Sequence, residues 1–461
     1  MAKTSILFLA VFAAICLATL ITPMAGVIGY ILHYHIAPEM QWWGRQFSGD
    51  IRFSATLAGL TVISILLHYP SLRFGNSSLT RHEKLILLFL GMVWLSLLVG
   101  VHHETSSRAG GEVDPPEVKL AKVILFAMVI THVVTDFRKL KILMWVLLAG
   151  AFYLGVRAYT ASPAKFVTGG RLEFIGGPDF HDANALAGHF ALLIPIIAVL
   201  FVRSGLLGKA VSLVAGVFVV NGLILTRSRG AFVAVAGGML AALLMAPQGR
   251  RKTVLIGLIF VAAGFLRLTD PSFRERASTI AAPAEQRDIS VQSRLDIWQG
   301  SLTILAKHPL GVGAGNFPAE ISQVVPQYAR KDAHSTFVLC YTELGIQGFI
   351  VLILVIVAAC KTLWTVHKSA AAAPPELRAD LTWIGYGLAV SLVIVLVRGL
   401  TMSRLYTEST WWVLALPVCL LRAMQNASAG PLAAPAETAA KPARRRPSRR
   451  PRQPVGLGRR P

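Results

Sequence analysis

The chain has 461 residues, of which 54% are hydrophobic and 15% are charged, and its mean hydropathy is +0.59. This composition is too apolar for a soluble globular domain and is typical of a membrane protein with many transmembrane segments. The net charge of +22 does not indicate nucleic-acid binding, because the basic residues lie mainly in a C-terminal tail and in short loops. The four cysteines show no paired spacing, so we expect buried thiols and neither disulfides nor a metal site.

Long apolar segments predict about twelve transmembrane helices, since a bilayer core requires about 20 apolar residues and leaves no backbone group unpaired. The first apolar segment is longer than the core of a cleavable signal peptide, so we interpret it as an uncleaved helix. The approximate limits are 5–32, 54–68, 85–101, 118–135, 141–158, 185–202, 207–225, 231–246, 253–267, 335–360, 381–397 and 409–424. The predicted fold class is therefore an all-α polytopic membrane protein.

Charged residues in the loops set the orientation of these helices. Twelve spans place both termini on one side, and the loops on that side are rich in lysine and arginine. The positive-inside rule makes this the cytoplasmic side. The outer side then holds two longer loops, 159–184 and 268–333, of which the second connects spans 9 and 10.

The loop at 268–333 is predicted to be partly helical and to lie over the outer mouth of the bundle. Residues 291–309 have helical periodicity, with Leu295, Trp298, Leu302 and Ile304–Leu305 roughly on one side. Residues 427–461 are rich in Ala, Pro and Arg and cannot bury a core, so we predict a disordered cytoplasmic tail. It either only anchors the topology as a solvated tail or is attracted to anionic lipid head groups. Residues 1–426 form the transmembrane domain.

Two arginines lie in the short connection "LTRSRGAF" between the seventh and eighth predicted spans. The orientation places Arg227 and Arg229 on the outer side, against the positive-inside trend, which indicates an anionic partner there. Side chains two residues apart on a helix point about 200° away from each other. They can reach one ligand only if a turn at Gly230 breaks the helix, and otherwise one of them snorkels. The alternative is that both contact lipid phosphates.

A polar stretch, "RLEFIGGPDFHDANALAGH", precedes the sixth predicted span. Arg171, Asp182 and Asn184 are candidate site residues, although Asp182 or Asn184 could equally cap the helix that follows. His181 lies between Asp179 and Asp182, but these ligand types within one short loop are a weak indication of a metal. We therefore predict no metal site.

The segment "DAHSTFVLCYTELGIQGF" begins where the long outer loop re-enters the membrane. His334 is the candidate catalytic base, because a neutral imidazole can accept a proton from a hydroxyl near pH 7. The alternative is an interfacial histidine without chemistry. On an unbroken helix, Tyr341 lies on nearly the same face as His334, whereas Glu343 lies on the opposite face and about 13 Å deeper. We expect Glu343 to have a structural partner.

Four motifs in this order resemble the superfamily of O-antigen ligases, O-antigen polymerases and bacterial oligosaccharyltransferases: "GGPDFHDANALA", "LTRSRGAFVAVAGG", "SRLDIWQGSLTILAKHPLGVGAGNF" and "DAHSTFVLCYTELGIQGF". The motifs cover residues 165–360, and the predicted topology extends the resemblance to the whole chain. It implies metal-independent glycan transfer at the periplasmic face of the bacterial inner membrane, with a donor linked to undecaprenyl pyrophosphate and no cofactor.

The resemblance also implies roles for individual residues. By motif position, Arg229 binds the donor pyrophosphate with Arg227 and Arg171 as supporting cations, and His334 takes the proton of the acceptor hydroxyl. Asn184, Asp182 and Tyr341 are supporting polar residues. Because the base acts in step with attack, we expect inversion at the anomeric carbon.

The leading hypothesis is a ligase whose acceptor is lipid A-core or another surface glycoconjugate. A polymerase that uses a second lipid-linked glycan, or a protein O-oligosaccharyltransferase, remains the alternative. A polysaccharide transporter is less favoured, because no internal repeat is evident and the charges gather at one face of the bundle.

Overall fold

The structure, a computed structural model, describes residues 3–45, 51–69, 72, 78–101, 114–167, 170–247, 249–268 and 289–428. These residues are almost entirely helical. The helices are α1 (Lys3–Ile21), α2 (Pro23–Ile36), α3 (Phe53–Leu67), α4 (Arg81–Val99), α5 (Pro116–Val133), α6 (Phe137–Tyr159), α7 (Ala183–Arg203), α8 (Leu206–Leu225), α9 (Arg229–Leu244), α10 (Arg251–Leu268), α11 (Ile289–Lys307), α12 (Phe317–Val324), α13 (Thr336–Ala370), α14 (Pro375–Thr401) and α15 (Glu408–Ser428). Two short antiparallel strands, β1 (Phe166–Val167) and β2 (Arg171–Leu172), form a hairpin between α6 and α7.

Several helices have the length and composition of membrane spans, which confirms the predicted all-α membrane fold class. Within the described residues, seven helices are long and apolar enough to cross a membrane, namely α1, α4, α6, α7, α8, α13 and α14. Two shorter apolar helices, α3 and α9, have 15 and 16 residues. The count of twelve spans and the arrangement of the outer loops stay predictions.

The single helix predicted over residues 5–32 is wrong, because the structure has two helices there. Thr22 is extended, with φ −147° and ψ 124°, and Pro23 opens α2. A proline has no amide N–H to donate and clashes with the preceding turn, so it is tolerated at the start of a helix and ends the helix before it. The second helix contributes Val27 and Ile31 to the buried core.

The centre of the bundle is built by α7, α13, α14 and α15. The first of these packs against α8 and α14, while α13 packs against α4 and α14. Trp411 of α15 is fully buried and lies against Phe89 of α4, with 5.0 Å between ring centroids. A buried ion pair of 2.8 Å between Arg422 and Glu83 also joins these two helices. Because a buried charge is costly unless paired, this pair fixes the register of α15 against α4.

The long outer loop contains α11 and α12, and α11 buries only part of the face that the apolar periodicity indicates. Ile297 and Ile304 are buried, whereas Leu295 and Leu302 are 43% and 57% exposed. The residues 297, 300, 301 and 304 also have helical spacing, and packing against α12 and α13 selects that face. Half-buried Trp298 donates its indole N–H to the carbonyl of Ala333, at 2.9 Å, and so supports the backbone beside His334.

Some predictions concern residues outside the described ranges. These are the loop at 102–113, the part of the long outer loop at 269–288, and the basic tail from residue 429 onward. The disordered tail and its boundary at residue 427 therefore stay predictions.

Candidate functional site

Two arginines converge on one carboxylate at the start of α7. Asp182 is the N-cap of this helix and accepts a hydrogen bond from the Ala185 N–H at 3.2 Å. Arg404 donates from Nη2 to Oδ2 of Asp182 at 2.9 Å, and Nη2 of Arg171 lies 4.0 Å from Oδ1. Asn184 donates from Nδ2 to the same Oδ1 at 3.4 Å. The residues Arg171, Asp182, Asn184, Ser228 and Arg404 are called the Asp182 cluster below.

Ser228 links the second predicted motif to this cluster. Its hydroxyl donates to Oδ1 of Asn184 at 2.8 Å, and its oxygen accepts the Ala231 N–H as the N-cap of α9. The predicted helix break occurs earlier than Gly230: α8 ends at Leu225 and Arg227 has a φ of +50°. The break therefore separates Arg227 from α9, which begins at Arg229. The two arginines are then not held on opposite faces of one helix, which is the condition for both of them to bind one ligand.

Close glycine contacts show where this connection lies. A Cβ atom built on Gly170 would be 2.5 Å from Nη1 of Arg227, so that guanidinium packs against the hairpin that carries Arg171. A Cβ atom on Gly230 would be 2.7 Å from Oγ1 of Thr401. The connection that holds Arg227 and Arg229 thus lies between the hairpin and the end of α14.

His334 occupies a left-handed backbone position just before α13, with a φ of +50°. Its N–H donates to Oδ2 of Asp332 at 3.3 Å, and its Nδ1 lies 3.6 Å from the same oxygen. The following residue, Ser335, caps α13 by accepting the Val338 N–H and also donates to the carbonyl of Gly399 at 3.2 Å. The imidazole of His334 is half-buried, and the hydrogen bonds of Asp332 and Ser335 hold the backbone on either side of it.

The electrostatic surroundings of His334 keep its imidazole neutral at pH 7. Partial burial lowers its pKa below the usual 6.5, and the cations Arg294 and Arg404 lower it further. The carboxylates of Asp332 and Asp182 oppose this shift. A neutral imidazole can accept a proton from a hydroxyl group. Arg404 bonds Asp182 through its guanidinium and Thr336, two residues after His334, through its backbone N–H, so the Asp182 cluster and the histidine form one site.

The comparison of Tyr341 and Glu343 with His334 on one unbroken helix does not apply, because His334 lies before the start of α13 in a left-handed conformation. Tyr341 packs its ring edge-on against Phe349, with 6.2 Å between ring centroids. Within the described ranges, no hydrogen bond joins Tyr341 to the Asp182 cluster. This supporting residue is therefore not brought to the site by a direct bond.

Glu343 has the structural partners that its buried position requires. Its side chain is buried, accepts the Phe317 N–H at 3.3 Å and accepts the hydroxyl of Tyr406. Tyr406 lies in the connection between α14 and α15 that also carries Arg404. The carboxylate therefore ties that connection to α13 and to the start of α12.

The glycine segment, residues 309–317, docks onto the broken turn of α13. Its Gly311, Gly313 and Gly315 have φ values of +92°, +96° and +83°. Three backbone bonds of 2.9–3.0 Å join it to α13: Val312 N–H to Thr342 O, Gly313 N–H to Glu343 O, and Ile346 N–H to Pro309 O. The motif "GVGAGNF" thus supports the helix that follows His334, because only glycine adopts these angles without strain.

Sequence reasoning missed Arg404 and Ser228. Arg404 lies in the α14–α15 connection, and its N–H donates to Oγ1 of Thr336 at 2.9 Å, next to the start of α13. A usable signal existed, because a basic residue in a predicted outer connection departs from the positive-inside trend as Arg227 and Arg229 do. The buried Nε atoms of Arg171 and Arg404 have no hydrogen-bond partner among the described residues.

The two carboxylates beside His181, which form a weak metal-binding pattern in the sequence, have other partners in the structure. Asp179 accepts from Nζ of Lys119 at 2.7 Å and from the hydroxyl of Tyr34 at 3.0 Å. Asp182 engages the arginines described above. In the part of the chain that the structure describes, no group of three or more His, Cys, Asp or Glu residues is arranged to hold a metal ion.

Residues 214–353 match a family model described as O-antigen ligase. The match runs from α8 through Arg229, α11 and the glycine segment to His334 and the broken turn of α13. No curated protein shows a significant match to the chain. The family consists of membrane glycosyltransferases of the O-antigen ligase and polymerase type, and it implies a lipid-linked glycan as substrate. Residues 214–353 are therefore similar to the O-antigen ligase family, and the helical membrane fold of the chain agrees with that similarity.

Proposed function

We propose that the protein transfers a glycan from undecaprenyl pyrophosphate to an acceptor hydroxyl, at the periplasmic face of the bacterial inner membrane. The observation that carries the proposal is the convergence of Arg171 and Arg404 on Asp182, within electrostatic range of His334. Each arginine keeps a buried Nε–H without a partner among the described residues. A buried donor without a partner costs free energy, so an arriving phosphate oxygen would be favoured there.

The donor pyrophosphate would be bound by Arg229, Arg227 and Arg171, as the family resemblance implies, and by Arg404 in addition. Guanidinium groups remain charged when partly desolvated and match phosphate oxygens in a bidentate manner. Asp182 holds two of these cations in place through its own contacts. The cations would then stabilise the charge that develops on the leaving pyrophosphate.

The reaction is a displacement at the anomeric carbon. The acceptor oxygen forms a bond to that carbon, while the bond from the carbon to the pyrophosphate oxygen breaks. The acceptor proton passes to the neutral imidazole of His334, and the bonding electrons leave with undecaprenyl pyrophosphate. Attack from the side opposite the leaving group inverts the anomeric configuration. The energy comes from the donor, so no cofactor is required.

The proposal is tested by purified protein with a defined undecaprenyl-pyrophosphate glycan and three acceptors: lipid A-core, a second lipid-linked glycan and a pilin-like protein. A single capped lipid A-core product supports a ligase. A ladder on the lipid carrier would reassign the chain to the polymerases, and a glycosylated protein would reassign it to the protein O-oligosaccharyltransferases. No transfer to any acceptor, with correctly folded protein, would contradict the proposal.

Two controls sharpen this experiment. Arg229→Ala should abolish transfer and Arg229→Lys should retain part of it, whereas Lys209→Gln, which changes an exposed lysine of α8, should leave the rate unchanged. Activity should also persist in EDTA, because arginines supply the positive charge at the pyrophosphate. Loss of activity in EDTA that a divalent ion restores would overturn the metal-independent mechanism.

A further inference from the structure

A second polar cavity is formed by the ends of α2 and α6 and by the loop that precedes α7. Its volume is about 270 Å³, against roughly 30 Å³ for one water in the liquid. Arg45, Arg157, Lys165, Phe174 and His181 are among the residues that line it and define the basic cleft. The cleft has room for a ligand group and not merely for isolated waters.

The basic cleft favours an anion. Arg157 and Lys165 carry positive charge, and no aspartate or glutamate is among the described residues that line it. Burial lowers the pKa of the His181 imidazole, Lys165 lowers it further, and Asp179 opposes the shift. A recess lined by charges of one sign concentrates ligands of the opposite sign.

Two of the carboxylates that neighbour the cleft in sequence, Glu39 and Asp179, have other partners. Glu39 forms an ion pair of 3.3 Å with His33. Asp179 is bound by Lys119 and by the Tyr34 hydroxyl, at 2.7 and 3.0 Å. Their negative charge is therefore directed at other groups.

Phe174 gives the cleft an aromatic surface in a strained conformation. Its φ is +57°, and its side chain is 48% exposed. Its N–H donates to the carbonyl of His181 at 2.9 Å, and the N–H of Glu173 donates to the carbonyl of Lys165 at 3.0 Å. A bulky residue in the left-handed region costs about 1–3 kcal/mol, and such strain clusters at functional sites. Nζ of Lys165 lies over the ring, 5.8 Å from its centroid, so the cation and the part of the ring that stays exposed could contact a phosphate and the C–H face of its pyranose ring together.

We propose that the basic cleft binds a phosphorylated saccharide of the acceptor, with the phosphate on the cations and a sugar ring on Phe174. This inference rests on the proposed transferase function, because one loop carries both sites. Arg171 and Asp182 of that loop belong to the Asp182 cluster, while Phe174 and His181 line the cleft. A phospholipid head group such as phosphatidylglycerol has the phosphate but no pyranose ring.

The test measures binding in the absence of donor, by calorimetry in a non-ionic detergent. The probes are a deacylated core oligosaccharide with its phosphates intact and the same oligosaccharide after dephosphorylation. All proteins carry Arg229→Ala, which disables the proposed donor site. We expect the phosphorylated probe to bind at least about tenfold more tightly than the dephosphorylated one, since hydrogen bonds to charged groups are worth more than neutral ones.

Three variants assign the contacts. Lys165→Gln with Arg157→Gln should weaken the phosphorylated probe about tenfold or more and leave the dephosphorylated probe unchanged. Phe174→Asn should weaken both probes equally, because asparagine tolerates the left-handed backbone but lacks the ring. The matched control is Lys209→Gln with Phe201→Ala, which changes an exposed lysine and a 40% exposed phenylalanine outside the cleft. It should change neither affinity.

Equal affinity for the two probes, or unchanged affinity in the Lys165 and Arg157 double variant, would overturn the inference. Displacement of the phosphorylated probe by an equal concentration of phosphatidylglycerol would also overturn it and assign the cleft to membrane lipid. The proposed function is judged separately. Specific binding without transfer contradicts the transferase alone, and transfer without specific binding contradicts the cleft alone.

Discussion

His334 combines the chemistry of a base with a backbone conformation that most residues avoid. Its φ of +50° lies in the left-handed region, where histidine, asparagine and aspartate are enriched among non-glycine residues. His334→Asn should therefore keep the turn before α13 while removing the base. We expect kcat of the purified protein to fall by about 10²–10⁴-fold with an unchanged apparent Tm. His334→Ala should lose the same activity and also some stability. Full activity of a folded His334→Asn protein would exclude this residue as the base.

The pH dependence of transfer tests the charges around His334. Its imidazole can act as a base only when neutral, so kcat/KM should fall as the pH drops through the histidine pKa, which lies below 6.5. Asp332→Asn removes a charge that raises this pKa and should move the acid limb to lower pH. Arg404→Gln removes a charge that lowers it and should move the limb to higher pH. A pH–rate series measures both. Shifts in the same direction would show that His334 does not control the limb.

The residues that could be predicted from the sequence are those within recognisable motifs. His334, Arg227 and Arg229 stand in the histidine-led and "SRG" segments, and Asp182 precedes an obvious helix start. Arg404 belongs to no motif, because its role depends on the return of the chain from α14 beside α7, and single-sequence patterns do not contain that approach. The position of Tyr341 relative to His334 could not be predicted from helical geometry, because His334 is not part of the helix.

Hydropathy predicts where the helices lie, whereas local contacts decide where a helix breaks and which of its faces is buried. Apolar length located a helix at each predicted segment, but it could not show that Pro23 divides the first of them. It also could not choose between the two apolar faces of α11, since that choice is made by contacts with α12 and α13. The hairpin that presents Arg171 has two residues in each strand, too few for any period-two pattern to be visible.

The break in α13 depends on Gly345, and we expect substitution of this glycine to destabilise the whole helix. Gly345 has a φ of +71°, and a Cβ atom there would lie 2.3 Å from the carbonyl carbon of Leu310. With a ψ of −174°, this residue lies in a region that is essentially restricted to glycine and costs other residues about 1–3 kcal/mol, and the backbone clash adds to that cost. Gly345→Ala should therefore lower the apparent Tm of the detergent-solubilised protein and displace the glycine segment.

The matched control for this substitution is Gly91→Ala in α4. No atom lies within 4 Å of a Cβ atom placed there, and alanine is the better helix former. Its Tm should stay the same or rise. If Gly345→Ala is as stable as Gly91→Ala, the docking of the glycine segment does not depend on the break.

At the scale of the whole molecule, the site is assembled from four distant parts of the chain. They are the loop before α7, the turn between α8 and α9, the end of the long outer loop, and the α14–α15 connection. Buried polar contacts hold these parts together, and Glu343 with Tyr406 joins two of them. Because each part arises at the end of a different helix, the site exists only when the bundle is packed. The termini of those helices should consequently lie on the same side of the membrane.

Reporter fusions test that last requirement. If the basic loops are cytoplasmic, residue 300 in α11 is periplasmic, and residues 140 and 440 are cytoplasmic. Alkaline phosphatase should be active when fused at residue 300 and inactive at residues 140 and 440, and green fluorescent protein should give the reverse pattern. The fusion at residue 140, at the strongly basic start of α6, serves as the internal control. A cytoplasmic signal at residue 300 together with a correct control would move His334 away from the periplasmic acceptor and would contradict the proposed reaction.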